Sequence, residues 1–219
     1  MLKLFNRKKI TIHSISIPDF GWTQGKNDKN IQQWIHPDKG TVVSINFFNK
    51  KPDLPTMNDI HSLRAFYRDQ LAAHKGGLIQ VDFVDLKGYK AIKTIFKIPQ
   101  QPSGVVYLAS FTIPFEKFSF VIKIQAPEIG MTGMRDSIIA EKLLRENKIA
   151  IGDTGYKNWF KDPYGLEINT NTLMNKSEEA HYDIKFPEHP LSQARNILKQ
   201  IESEIEFEDA FEKSSTFKR

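Results

Sequence analysis

The sequence predicts an α+β fold: a twisted antiparallel sheet of six to seven strands flanked by helices, with a C-terminal helical extension. Three observations carry this expectation. Between Leu78 and Ala126 the chain holds apolar–polar alternating runs with no helix-length segment between them. Parallel strands would need crossovers of a dozen or more residues, so these strands run antiparallel. Helical spacing appears on both sides of that block, at Ile60, Leu63, Tyr67 and Leu71 before it and over Met134–Lys148 after it. Finally, Leu191, Ala194, Leu198, Ile201 and Ile205 step by 3 and 4 residues, a narrow apolar seam on an otherwise polar helix.

The elements follow in order. Ile10–Ile17 has strand character and stops at Pro18, and Pro18–Gly25 reads as a turn region carrying Phe20 and Trp22. Ile31–Ile35 and Val42–Phe48 form a hairpin around His36-Pro-Asp-Lys-Gly40. Thr56 or Asn58 is placed to cap a helix over 57–75, and Gly76-Gly77 to end it through the left-handed conformation glycine accepts. Arg64, Arg68 and Asp69 lie off its apolar stripe. Four strands follow, with a bulge expected at Phe83-Val84, where the alternation slips. Lys93 and Lys97 fall opposite Ile92, Phe96 and Ile98, on the side read as wet. The helix from Met134 is not cleanly amphipathic, which implies cover on more than one side. Residues 149–180 read as irregular, the last helix starts near Pro190, a favoured first-turn proline, and Phe207–Arg219 as a frayed tail. The chain thus divides into an α+β core domain over 1–150 and an extension over 151–219 docked on it, an irregular wrap plus the amphipathic helix.

Composition excludes several chemistries. There are no cysteines, so disulfides, thiolate nucleophiles, iron–sulfur clusters and cysteine zinc sites are ruled out. No apolar run approaches the length of a membrane span. The first ten residues lack the order of a secretory signal, so a cytoplasmic protein of bacterial style is expected. Charge is uneven: residues 1–100 carry 16 Lys/Arg against 8 Asp and no Glu, a balance of +8, and residues 101–219 carry 15 against 18, a balance of −3. Three readings stay open: an acidic partner, ordinary solvated lysines, or an internal contact between the acidic tail and the basic half.

Motifs for catalysis are missing. The six histidines, His13, His36, His61, His74, His181 and His189, make no paired-ligand spacing. His36 and His189 precede prolines, which suits a turn and a helix start. Neither a Gly-x-Ser-x-Gly elbow nor a phosphate loop occurs. Glu128, just before Gly130-Met-Thr-Gly133, can accept backbone amides at a helix start or hold a cation; the first reading is favoured. Gly130 and Gly133 suit a tight turn or an anion, and Arg135 an anion or a nearby acid. Basic residues near aromatics follow the core pattern, so nucleic-acid binding is disfavoured. No residue pattern calls for a cofactor or a metal.

The element order, the Pro18-Asp-Phe-Gly-Trp22 turn, the hairpin at 31–48, the helix opening into Gly76-Gly77, the meander 78–126 and the closing helix together carry a resemblance. The chain resembles the group of small domains sharing the fold of the photosystem protein PsbP and the Ran-binding protein Mog, over roughly residues 8–148. The segment Pro127–Asp136 also looks like one found in uncharacterised bacterial proteins. The resemblance implies a binding or adaptor role acting through protein surfaces, with effector chaperones among bacterial relatives; it carries over no individual residue. The expected function is therefore a non-catalytic protein-binding module. A small hydrolase with a His/carboxylate pocket and a small-ligand or lipid carrier are the alternatives. Candidate contact residues are the loop aromatics Phe20, Trp22, Trp159, Phe160 and Tyr164, and Leu198 and Ile201 on the final helix. The partner is expected to be another protein, with the chain a monomer or a homodimer through that helix.

Overall fold

A computed structural model describes residues 9–167 and 172–217; the N-terminal residues read above for targeting lie largely outside them. A 3-10 turn, Ile12–Ser14, leads into β1 (Ile15–Ser16), β2 (Thr23–Asn27), β3 (Ile31–Ile35) and β4 (Val42–Phe48). Then come α1 (Ile60–Ala72), β5 (Gly77–Leu86), β6 (Tyr89–Pro99), β7 (Val105–Pro114), β8 (Ser119–Pro127) and α2 (Met134–Arg145). Short strands β9 (Ala150–Gly152), β10 (Gly155–Lys157), β11 (Phe160–Lys161) and β12 (Met174–Asn175) follow. Two 3-10 segments, Lys176–Glu178 and Ala180–Lys185, precede α3 (Pro190–Glu204), β13 (Glu206–Phe207) and a last 3-10 turn, Asp209–Lys213.

The central sheet has seven strands in the order β2-β3-β4-β8-β7-β6-β5. All neighbouring pairs are antiparallel. The fold class read from the alternation is thus the observed one. Side-chain alternation sends Val43, Ile45, Ala109, Phe111, Phe120, Ile122 and Ile124 to one face, where all are fully buried. The α3 seam meets them: Leu191, Ala194, Leu198, Ile201 and Ile205 are each 0% exposed. Burying each of the Leu and Ile side chains contributes about 1.5–3 kcal/mol. The space between sheet and α3 is filled by these side chains, and the helix docks on its own sheet. On the other face α1 covers the β5–β6 end, packing Leu63 and Leu71 on Leu78, Val81 and Ile92.

Several local expectations are corrected. Thr11 caps a 3-10 turn where a longer strand was expected, so only Ile15–Ser16 pairs, and with β13. The turn region after Pro18 supplies an edge strand, β2, which its polar Thr-Gln-Gly-Lys-Asn sequence conceals. Asp59, not Thr56 or Asn58, caps α1 by accepting from the His61 amide. At the far end Lys75 takes the left-handed conformation (φ 52°), and Gly76 and Gly77 serve close packing instead. The register shift falls between Leu78 and Gln80, not at Phe83-Val84. Arg68 is buried and paired with Asp162. The segment after α2 forms two strand pairs, β9–β10 and β11–β12, and the described part of the tail, up to residue 217, is not frayed: Phe211 and Phe217 are buried and Phe115 bridges Thr216.

Lys93 and Lys97 are the most informative correction. They share the α3 side of the sheet, and their amines are engaged in partly buried ion pairs instead of lying free in water. Lys93 Nζ lies 2.6 Å from Glu202, on α3, and Lys97 Nζ 2.7 Å from Glu178. The uneven charge is therefore satisfied in part internally, basic β6 against the acidic extension.

Candidate protein-binding cleft

Three loops ring a cleft of about 650 Å³ at the end of the sheet where β8 passes into α2. The β3–β4 turn supplies Asp38, Lys39 and Thr41, and the β8–α2 loop supplies Pro127 to Met131. The segment Lys185–Pro190, leading into α3, supplies the third wall. Met134, at the start of α2, also lines it. Its apolar lining is left open to solvent: Ile129 is 57% exposed, Met131 74% and Met134 47%. Ile138, one turn beyond Met134 on the same side of α2, and Ile184, just before the third wall, are exposed as well. Gathered exposed apolar side chains mark interaction sites more often than scattered ones.

Local chemistry fixes each wall. His36 accepts from the Asp38 and Lys39 amides and so shapes the first turn, with Trp22 edge-on against its ring at 5.1 Å. Gly130 and Gly133 both take positive φ, 73° and 71°, which gives the tight turn ahead of α2. Arg135, 1% exposed, anchors α2 from beneath. It donates to the Ser177 carbonyl (2.8 Å), Asp183 (2.9 Å), Ser192 Oγ (2.9 Å) and the Glu179 carbonyl (3.2 Å). Asp183 also receives Arg195 at 2.9 and 3.0 Å, so two guanidiniums share one carboxylate. Burial lowers the pKa of Arg195 despite that partner.

At the floor Glu128 and His189 meet, Oε1 to Nε2 at 3.4 Å. This is the acid–histidine pair a hydrolase reading would want, and its atoms are already committed. His189 Nδ1 accepts from the Leu191 amide as the cap of α3, which leaves the proton of the neutral ring on Nε2, toward Glu128. Glu128 accepts the Gly133 amide on Oε1 and the Val105 amide on Oε2, each at 3.1 Å. Burial alone would raise its pKa; the bonds from His189, Gly133 and Val105 outweigh this and hold it below the usual value. The pair pins the second and third walls together, the structural role expected of Glu128 at a helix start. Tyr107, edge-on to His189 at 5.4 Å, is buried, and its pKa is pushed well up by burial and by the nearby Glu178, Asp136 and Glu128. Among the described residues no group of three His, Asp or Glu is arranged to hold a metal ion.

The residues singled out from sequence scatter. Phe20 and Trp22 meet at a tilt of 38° with ring centres 5.2 Å apart, pack against the main core and brace the first wall from behind. Trp159 is 6% exposed, buried under α2 with Ile139, Leu143 and Tyr182. Phe160 stays 56% exposed, with the Lys97 amine 5.8 Å from its ring. Tyr164 seals the outer edge of β5: its hydroxyl accepts from the Val81 amide at 2.5 Å and lies 2.9 Å from the Val81 carbonyl. Leu198 and Ile201 are wholly enclosed against the sheet, so they offer no surface to a partner unless α3 detaches. Sequence reading missed Ile129, Met131 and Met134. The available signal was Met134 and Ile138, one turn apart on a helix whose other face, Ile139 and Leu143, is also apolar, with Met131 just ahead of it.

The class defined by this geometry is an α+β domain with an antiparallel sheet, helices on both faces and an open apolar cleft. Among solved structures the chain is similar to the Saccharomyces cerevisiae Ran-binding protein Mog1p, at 9% identity and a TM-score of 0.48, over 94% of this chain and 93% of that one. It is similar to a mutant of protein Mog1 at 8% identity and 0.46, over 90% and 92%. It is also similar to a Pseudomonas aeruginosa protein of unknown function at 11% and 0.34, over 56% and 81%. No family model and no curated protein matches the chain. The Mog likeness expected from element order thus recurs among structures, as a likeness of outline that assigns no function. Among the described residues no helix is long and apolar enough to cross a membrane.

Proposed function

We propose that this protein is a non-catalytic protein-binding module, of the adaptor, effector-chaperone or inhibitor kind, and that the cleft around Met131 and Met134 takes an apolar helix face of its partner. The observation that carries the reading is the exposure of Ile129, Met131 and Met134 together in the lining of one cleft. Methionine is unbranched and polarisable, so it repacks around varied partner side chains.

The walls favour a helical occupant. Pro127, Pro187 and Pro190 have no amide to donate. The amides of Asp38, Lys39, Glu128, Gly133 and His189 are engaged within the protein. An added strand needs free backbone partners, whereas a helix satisfies its own.

Photo-crosslinking amino acids at Ile129 and Met131, with Phe48 as a distant control, test this in native lysate. The expected result is one shared protein captured from both cleft positions, not from Phe48, and lost when Met134→Lys is added. Capture that ignores Met134→Lys, or no cleft-specific capture, would overturn the reading.

A further inference from the structure

The face of the sheet that points away from α3 is only partly covered. On β7 and β8 the inward residues Ala109, Phe111, Ile122 and Ile124 are fully buried, whereas the outward Leu108, Thr112, Val121 and Lys123 are half-buried. Where α1 stops short of these strands it leaves a groove of about 480 Å³, within the size range of small-molecule sites. Phe66 and Tyr67 of α1 form its wall. Its floor runs over Phe96 of β6, Leu108 of β7 and Val121 of β8 to Phe48 of β4, which is 41% exposed. These four strands are adjacent in the sheet, so the groove crosses three interstrand spacings, about 14 Å. Tyr67 packs 5.3 Å from Phe96, and its hydroxyl bonds to Thr112 at the edge of the floor.

Charge on this face is one-sided. The outward positions of β3, β4, β8 and β7 hold no Asp or Glu and a single charged residue, Lys123. It stands directly opposite Ser44 on one side and Ser110 on the other. Along β8 it lies two residues from Val121, on the same face and about 7 Å away. The other lysines of the sheet meridian are matched: Lys93 and Lys97 pair with Glu202 and Glu178, and Lys90 donates to the Met57 carbonyl. Among the described residues Lys123 has no such partner. A half-buried ammonium without a counter-charge draws an anion more strongly than a solvated one, because less water screens it.

We propose that this groove binds a long-chain carboxylate, with the aliphatic chain lying across the strands beside Phe66 and Tyr67 and the carboxylate accepting from Lys123. The floor offers apolar contact and no unpaired acid, and the one unmatched charge stands a single row away. An anion on the end of an apolar chain satisfies both features. The flexible four-carbon stem of lysine lets its amine lean toward the floor. The groove shares no lining residue with the cleft around Met131 and Met134, so this site stands apart from the protein-binding reading.

The test is calorimetry of the whole chain with decanoate, below the concentration at which it forms micelles, against 1-decanol for the chain alone and butyrate for the head alone. Decanoate is expected to bind saturably and more tightly than either. Lys123→Gln should weaken decanoate about ten-fold, the scale of one charge-assisted hydrogen bond, and leave decanol unchanged; Lys123→Arg should retain most of the affinity. Leu108→Ala should weaken decanoate and decanol alike, about three- to ten-fold. Amide shifts in two-dimensional NMR should gather at Leu108 and Val121, not at Gly130 and Gly133. No saturable decanoate binding, decanol bound as tightly as decanoate, Lys123→Gln binding like the parent, or shifts at the cleft would each overturn the site. A chain that sediments as a dimer and separates on Phe48→Lys would assign the face to a second copy and overturn it as well. Crosslinking from Met131 is expected to be unchanged in Lys123→Gln, so the two sites fail or stand separately.

Discussion

At Gly77 an added Cβ would lie 2.8 Å from the Leu173 carbonyl oxygen, a backbone atom that cannot rotate away. Gly77→Ala is expected to cost about 1–3 kcal/mol through overpacking, measured as a lower urea midpoint. Arg135 carries a different burden. Arg135→Ala leaves the Ser177 and Glu179 carbonyls without this donor and removes one of the two guanidiniums on Asp183. The expected loss is about 3–5 kcal/mol, toward the lower end because Arg195 still pairs with Asp183. Glu128 adds a pH signature. Its native pKa lies below the ordinary glutamate value, so its contribution is present above that ordinary value and fades as pH falls through the native pKa. Glu128→Gln should flatten this part of the acid limb in a stability–pH series; an unchanged limb would show that the carboxylate contributes nothing there. Glu128 was legible as a helix-start acceptor because a carboxylate before a glycine turn has few other uses. Its histidine partner, 61 residues away, was not.

Among elements, the sheet is flanked by edges treated differently. β2 is polar and irregular, which discourages pairing by itself. β5 is long and, beyond the shift at Leu78–Gln80, evenly paired, and Tyr164 occupies the Val81 amide and carbonyl while its ring carries the Arg64 guanidinium at 3.2 Å. Tyr164→Phe removes the hydroxyl and is expected to cost about 1–2 kcal/mol. It should also raise concentration-dependent association seen by light scattering; a variant as stable and as monodisperse as the parent would count against the guard role. Alternation read β4 to β8 well, because each strand has one face pressed on a continuous core. It misplaced Lys93 and Lys97 because alternation reports which side a residue takes, not whether a carboxylate waits there. β1 was misread since two residues carry no pattern, and β2 since Thr-Gln-Gly-Lys-Asn has no apolar residue to alternate.

For the molecule as a whole, the division at residue 150 does not separate independent cores. Leu191, Leu198, Ile201 and Phe211 belong to the same cluster as Ile45, Phe111 and Ile122. A chain ending before Asp183 should therefore lose cooperative unfolding and its near-ultraviolet dichroism. Retention of both would show that residues up to 182 fold unaided. The cleft was the least legible feature, because its three walls come from positions near 39, 129 and 188, and each looks like an ordinary loop in isolation.

The α3 seam also has a temporal consequence. Ile205 is translated 78 residues after β8 ends at Pro127, about 4–16 s later at cellular elongation speeds. Throughout that interval a nascent sheet holds its phenylalanines uncovered on the ribosome, so slowing synthesis across this stretch should lower the yield of soluble product more than slowing it after residue 205.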